Sequence, residues 1–338
     1  MSKEPDSIVK KWIAKAGIDG FLIGIGIAVL LGYYWPRPGI ATHPVSLDTI
    51  TAYGVALIFF FYGLRLSPQK MKAGLSNWNV HIVIQLTTFL LFPLIVLCFR
   101  PFFTSAGTGI LWPGFFFLAA LPSTVSSSVV MVAIAYGNIP AAIFNASISS
   151  LLGIFITPLW TTLILNAQTG ELNHSSVILN LCLQVLLPVC AGLLLHRRFG
   201  FFADKNKTWL RRFDQLVILL IIYSSFSHSF TAGIFEGIGN MPLLVLSLAV
   251  LLLFLIVFML TSLISRWLGL TAADRITAVF CGSKKSLVHG SVMAKVLFGN
   301  SAAAGLIILP VMLYHALQLV IISIIARRRA KRFTGQEA

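Results

Sequence analysis

Two adjacent lysines, Lys284 and Lys285, stand in a Gly-Ser-Lys-Lys-Ser run inside an otherwise apolar stretch from Thr271 to Phe298. A cation at bilayer depth costs roughly 2.5–3.5 kcal/mol on insertion scales, so it faces a protein interior or a watery cavity and marks a candidate site. A second polar run, Leu121-Pro122-Ser123-Thr124-Val125-Ser126-Ser127-Ser128, interrupts an earlier apolar stretch, Ile110 to Tyr136. Pro122 removes a backbone donor and clashes with the preceding turn, and Gly282 lowers helix propensity. Backbone groups freed by such breaks must be satisfied by protein, water or solute, because lipid offers no partners. The candidate site therefore gathers Ser123, Thr124, Ser126, Ser127 and Ser128 with Ser283, Lys284, Lys285 and Ser286, and His289 lies one turn beyond. Neighbouring stretches add Gln85, Thr88, Asn145, Ser149, Tyr314, His315 and Gln318. Asn145 and Ser149 are four apart and share a helix face. The amides Asn145 and Gln318 weigh more than a lone hydroxyl, having more groups to satisfy.

All ten acidic residues fall outside the apolar stretches or near their ends. No carboxylate is thus expected at depth to balance a bound cation. Two lysines beside a serine cluster instead favour an anionic solute, helped by helix N-termini at the breaks. Lysine changes protonation readily when buried, so the pair could also carry a proton through a cycle. No glycine-rich phosphate loop precedes a Lys-Ser or Lys-Thr pair, which argues against ATP-driven transport by this chain alone. Ser123 to Ser128 with His289 lack a carboxylate to orient a base, which argues against an intramembrane hydrolase. Neither an enzyme nor a resident cofactor or metal is expected.

The elements that position these residues must be membrane helices. Hydrophobic residues make up 57% of the chain, charged residues 10%, and mean hydropathy is +0.91. A soluble domain carries about 25% charged residues, and repeated apolar runs near 20 residues cross the ~30 Å of hydrocarbon. The formal charge of +15 follows from the positive-inside rule rather than from nucleic-acid binding. Most basic residues fall on every second connection: Lys3 to Lys15, Arg65 to Lys72, Arg197 to Arg212, Arg266 with Arg275, and Arg327 to Arg332. The cysteines Cys98, Cys182, Cys190 and Cys281 have no metal-ligand spacing and are expected as small core residues. No signal-peptide cleavage pattern is expected to remove the first apolar run, and Ile8 to Ile18 is expected as a plain juxtamembrane anchor, with a basic amphipathic helix on the membrane surface as the alternative.

Ten spans are expected: Ile18–Tyr34, Leu47–Leu64, Val80–Phe99, Ile110–Tyr136 and Pro140–Leu165, then Ser176–Leu195, Phe213–Phe230, Leu243–Ile264, Thr271–Phe298 and Ser301–Ala326. With the amino terminus inside, ten spans put both termini on the cytoplasmic side of the membrane. If Thr271–Phe298 did not cross, Arg327 to Arg332 would emerge outside, so parity favours an embedded Lys284–Lys285 element over a polar loop. The halves correspond at an offset of about 160 residues, and five spans per copy make the copies opposite in orientation, the inverted-repeat plan of secondary transporters. The chain then divides into a cytoplasmic arm (1–17), a first repeat (18–165), a second repeat (166–326) and a basic tail (327–338). Paired interruptions in corresponding spans point to the binding site. Expected partners are membrane lipids and a small organic anion.

The runs Pro122-Ser-Thr-Val-Ser-Ser-Ser-Val-Val and Gly282-Ser-Lys-Lys-Ser-Leu resemble the bile acid:sodium symporter family. Asn145-Ala-Ser-Ile-Ser-Ser-Leu-Leu-Gly-Ile-Phe-Ile-Thr-Pro and Tyr314-His-Ala-Leu-Gln318 support this. The likeness covers nearly the whole chain and is strongest to the YfeH-type bacterial branch, related to the divergent seventh member of the human family. The resemblance implies an all-α fold of ten helices in a panel (spans one, two, six, seven) and a core, with spans four and nine broken and crossing. Carried over by motif, Ser127 and Ser128 match a polar pair that helps hold one sodium ion, with Asn145 and Ser149 as the span-five contribution. This chain departs at the second crossing. Where bile-acid members carry Glu-x-Gly-x-Gln-Asn, it has Phe280 for the glutamate and Lys284 and Lys285 for the amides. Thr88, not Gln85, takes the position of the span-three glutamine. The resemblance thus implies transport of an organic anion with a lysine ammonium in place of sodium. Sodium coupling through Ser127, Ser128 and Asn145 is the alternative. A regulator that retains the fold without transporting is a third reading.

Overall fold

In the computed structural model, residues 20–66, 78–169, 182–236, 238–299 and 301–333 are described. The expected arm 1–17, the juxtamembrane segment Ile8 to Ile18, and Lys70, Lys72 and Ser176 lie outside them. The described residues form helices and turns with no strand among them.

The main helices are α1 (Gly20–Tyr34), α2 (Leu47–Arg65), α3 (Trp78–Phe103), α4 (Trp112–Ala120), α5 (Ser126–Ile134) and α6 (Ile139–Thr169). They continue with α7 (Cys182–Lys205), α8 (Lys207–Thr231), α9 (Asn240–Trp267), α10 (Ala272–Gly282), α11 (Leu287–Phe298) and α12 (Ala304–Phe333). Seven of these (α2, α3, α6, α7, α8, α9 and α12) are long and apolar enough to cross a membrane, and shorter apolar helices cover Gly20–Tyr34 and Gly107–Ala120. This is a multi-pass membrane protein.

The surface says the same. On α9, Leu244, Leu248, Leu252, Leu255, Met259 and Leu263 form an exposed apolar stripe, while Leu246, Val250, Leu253, Phe254 and Val257 are buried. Spacings of three and four put each set on one face. Such a stripe on water would be an aggregation liability, whereas facing lipid it is the solvent match.

Helices α1, α2, α7 and α8 pack against one another. At the α2–α7 contact, a Cβ on Gly63 would lie 2.3 Å from the Val189 carbonyl and one on Gly192 2.1 Å from the Phe60 carbonyl. Two backbones touch there, as small residues permit between membrane helices. Helix α9 packs against both α10 and α12, α4 lies between α6 and α12, and α8 reaches α11 and α12.

Two expectations need correction. Cys98, Cys182 and Cys190 are exposed and only Cys281 is buried: a small, weakly polar thiol is as soluble in lipid as in a core, so apolar sequence context does not distinguish the two. The expected basic loop from Arg197 to Arg212 is mostly helix, since α7 runs to Lys205 and α8 starts at Lys207. Arg and Lys are good helix formers whose long stems let helices continue past the hydrocarbon. The basic tail starts the same way, as α12 carries Arg327 to Arg332 in helix.

Candidate functional site

Both predicted interruptions are present. The chain leaves α4 at Ala120 and resumes helix at Ser126, and it leaves α10 at Gly282 and resumes at Leu287. The two breaks touch. Ser286 N–H donates to the Pro122 carbonyl at 2.9 Å, and Ser123 Oγ donates to the Cys281 carbonyl.

The freed backbone groups of the first break are met one by one. Ser123 N–H donates to Ser149 Oγ on α6 at 3.0 Å, and Thr157 Oγ1 donates to the Ala120 carbonyl at 2.8 Å. The Ala119 and Leu121 carbonyls accept from Lys285 Nζ at 2.6 and 2.7 Å. A third carbonyl, Thr88, accepts from the same nitrogen at 2.7 Å. Three acceptors match the three donors of an ammonium, which has no lone pair to offer. The ring of Phe92 closes the remaining side, its centroid 4.1 Å from Nζ, and a desolvated contact of this kind is worth ~2 kcal/mol or more. The cation also sits at the C-terminal end of α4, the favourable end of its dipole.

Thr88 is free to accept because α3 contains a π turn over Thr87–Leu91, in which Phe92 N–H bonds the Thr87 carbonyl instead. The proline at position 93 has no N–H for the Phe89 carbonyl, which accepts from Trp160 Nε1 at 2.8 Å. The π turn thus leaves one carbonyl for Lys285, and such turns are frequent at functional sites.

Lys284, equally buried, donates to the Ser127 carbonyl at 3.0 Å. Tyr314 and Gln318, on α12, brace the second break. Tyr314 Oη donates to the Ser283 carbonyl at 2.7 Å, while Gln318 accepts from Lys285 N–H and donates to the Lys285 carbonyl, both at 2.8 Å. Ser283 Oγ bonds back to the Val279 carbonyl, and Ser286 caps α11, accepting from His289 N–H at 3.3 Å. Thr124, Ser127 and Ser128 share a hydroxyl cluster, with Thr124 Oγ1 2.7 Å from Ser128 Oγ and 2.9 Å from Ser127 Oγ. Ser126 is the first residue of α5, and its side chain lies outside what is described.

Asn145 and Gln85 belong to a separate network. Gln85 Nε2 donates to Asn145 Oδ1 at 3.1 Å, and Asn145 Nδ2 lies 2.7 Å from His81 Nδ1. Sequence reasoning missed His81, although its spacing of four from Gln85 put the two on one face. It also left Lys295 without a partner; that residue pairs with Asp48.

A cavity of about 420 Å³ lies beside the breaks. Thr124, Val125, Ser127, Ser286, Leu287 and His289 form its break-side wall, and Ile58, Phe59 and Tyr62 of α2 face them. Phe21 and His315 also line it, and its far end carries Arg65, Arg211 and Asp214. Arg65 and Asp214 form an ion pair at 3.0 Å. The lining is mostly apolar with a few convergent polar groups, as in small-molecule sites.

The profile of the SBF-like CPA transporter family (DUF4137) matches residues 19–331. The chain belongs to that family. It is 40% identical over 314 residues to "Uncharacterized protein PA2026" of Pseudomonas aeruginosa, covering 93% of each chain. It is 36% identical to "Putative symporter YfeH" of Escherichia coli (strain K12), over 94% of this chain and 95% of the relative. It is 30% identical to "Sodium/bile acid cotransporter 7" of Mus musculus over 93% of each. The expected kinship with the bile acid:sodium symporters, and with the YfeH-type branch in particular, is borne out. The protein is of the transporter class.

Gln318→Leu tests the brace. It strands the Lys285 N–H and carbonyl, each costing about 1–3 kcal/mol when buried and unsatisfied. Thermal unfolding in detergent, followed by tryptophan fluorescence, is expected to drop by several degrees.

Proposed function

We propose that this protein is a secondary transporter that moves a small organic anion by alternating access, with the Lys285 ammonium standing where a sodium ion would otherwise bind. The observation that carries the reading is Lys285 Nζ on three backbone carbonyls at the meeting of two broken segments, next to an apolar cavity. A carbonyl cage of this kind suits a monovalent cation, and a tethered ammonium fills it without drawing on a gradient. Ten spans in two inverted repeats, a panel of α1, α2, α7 and α8 against a core, and cytoplasmic termini in the inner membrane complete the proposal. The solute then sits in the cavity, with Ser127, Ser286 and His289 as its polar contacts, Lys284 one shell behind, and the uncapped N-terminus of α5 favouring its negative group.

The sodium-coupled reading has one observation in its favour. Gln85 Oε1 and Thr88 Oγ1 are buried oxygens without a hydrogen-bond partner among the described residues, and such oxygens suit a cation. Uptake of radiolabelled organic anions, a bile acid among them, into proteoliposomes separates the two. Equal rates in sodium and in choline are expected; a strict requirement for sodium overturns the replacement. Lys284→Gln is expected to lower uptake at least tenfold while leaving thermal stability within a few degrees, because Lys284 holds one carbonyl where Lys285 holds three. Protein that moves no solute but copurifies with a partner would favour the regulator reading.

A further inference from the structure

Beyond the cavity, at the opposite end of two helices that line it, a partly buried ion pair joins α2 to α11. Asp48, in the first turn of α2, pairs with Lys295 of α11, whose side chain is 8% exposed. Ser224 Oγ donates to Asp48 at 2.8 Å, and His228 Nε2 lies 3.3 Å from its other oxygen, both from α8. Asp48 to Arg65 on α2, and Arg211 to His228 on α8, are each 17 residues, or about 25 Å of helix. The cavity lining at Arg65, Arg211 and Asp214 and the cluster at Asp48 thus sit at opposite ends of the same two helices. On α11, Leu287, Val288, His289 and Val292 line the cavity, and Lys295 comes one turn later. Nearby, Ser229 of α8 donates to the Ala302 carbonyl and accepts from Gly305 N–H at 3.0 Å. The cavity thus reaches exposed Arg211 at one end of these helices, while their other end is joined by charge and close packing.

We propose that Asp48–Lys295 is the latch that holds the closed end of the cavity and must part for the site to face the other side of the membrane. This rests on the alternating-access reading above. A latch must be strong enough to close and able to open. A charge pair joining two bodies at a partly hydrated helix end meets both needs, since water can solvate each partner once they separate. Asp48 keeps Ser224 and His228 as partners after release, so its carboxylate is not stranded. In such a device the charge belongs to the pair rather than to either residue, so exchange of the two should preserve it.

The test uses the full chain with its four cysteines replaced by serine and Ser291→Cys as reporter. Ser291 is buried, four residues before Lys295 on the same face of α11. A membrane-impermeant maleimide is applied from each side in vesicles of defined orientation. Asp48→Asn and Lys295→Met are each expected to speed labelling from the latch side at least tenfold, and the exchange Asp48→Lys with Lys295→Asp to return it towards the parent rate. Where a single variant fails to accumulate because it leaves a lone buried charge, the doubly neutral Asp48→Asn, Lys295→Met protein carries the test, with the same tenfold rise expected. Parental labelling in the neutralised proteins, or an exchanged pair that labels as fast as they do, overturns the latch. Faster labelling without solute uptake supports the latch and removes transport; uptake with unchanged labelling keeps transport and removes the latch.

Discussion

Lys285→Asn should convert a protein indifferent to sodium into one whose stability depends on it. The substitution withdraws the ammonium from the Thr88, Ala119 and Leu121 carbonyls, all within 2.7 Å of Nζ. Buried carbonyls left without donors cost about 1–3 kcal/mol each, so a loss of about 3 kcal/mol or more is expected in choline. Asparagine is shorter and leaves room in the cage for an ion that carbonyl oxygens can hold. Sodium should then restore much of the lost unfolding temperature, by the mass-action stabilisation of any ligand that binds only the folded state. Lys285→Met serves as control: it loses the same donors but offers neither space nor an oxygen ligand, and should stay destabilised in both salts. Unfolding temperatures in detergent, titrated with sodium chloride against choline chloride, read the difference. Identical behaviour of the asparagine and methionine proteins would show that the ammonium does not stand in a cation's place.

That the lysines would need polar partners was legible in the sequence because the physics is coarse: a cation in an apolar stretch must go somewhere polar, and Pro122 and Gly282 must break a helix. The two polar runs also named Ser123 and Ser286, which make the hydrogen bonds where the breaks touch. What could not be read was the division of labour. Nothing in Gly-Ser-Lys-Lys-Ser says that Lys285 takes three carbonyls while Lys284 takes one, because that depends on the π turn at Thr87–Leu91 and on the seat of α4. Tyr314 and Gln318 were legible as polar groups near the site, but their role as braces rather than cavity contacts follows from the packing of α12 on the second break. His81 and the Asp48–Lys295 pair escaped for a different reason. Both join residues far apart in sequence, and neither end carries a mark of its partner. Helix ends failed wherever basic residues continued a helix beyond the hydrocarbon, as at Lys205 and Arg332.

The α2–α7 contact supplies the second large effect, on the wall of the cavity rather than at the breaks. Gly192→Ala would put a methyl 2.1 Å from the Phe60 carbonyl and 3.1 Å from Gly63 Cα. These are backbone atoms of a regular helix and cannot swing aside as a side chain can, so the helices must separate. Overpacking costs about 1–3 kcal/mol and occasionally more, and with both obstacles on the backbone the upper end is expected. Gly63→Ala meets the Val189 carbonyl at 2.3 Å and should cost as much. The double variant should cost less than the sum, since one separation accommodates both methyls. Gly26→Ala, with nothing within 4 Å, is the matched control and should be neutral or stabilising by up to ~1 kcal/mol through helix propensity. Because α2 also carries Ile58, Phe59 and Tyr62 into the cavity, the Gly192 variant should lose solute uptake along with stability, while the Gly26 variant keeps both. Equal unfolding temperatures for the two alanine proteins would mean that α2 and α7 are not in backbone contact, and that the cavity wall is held some other way.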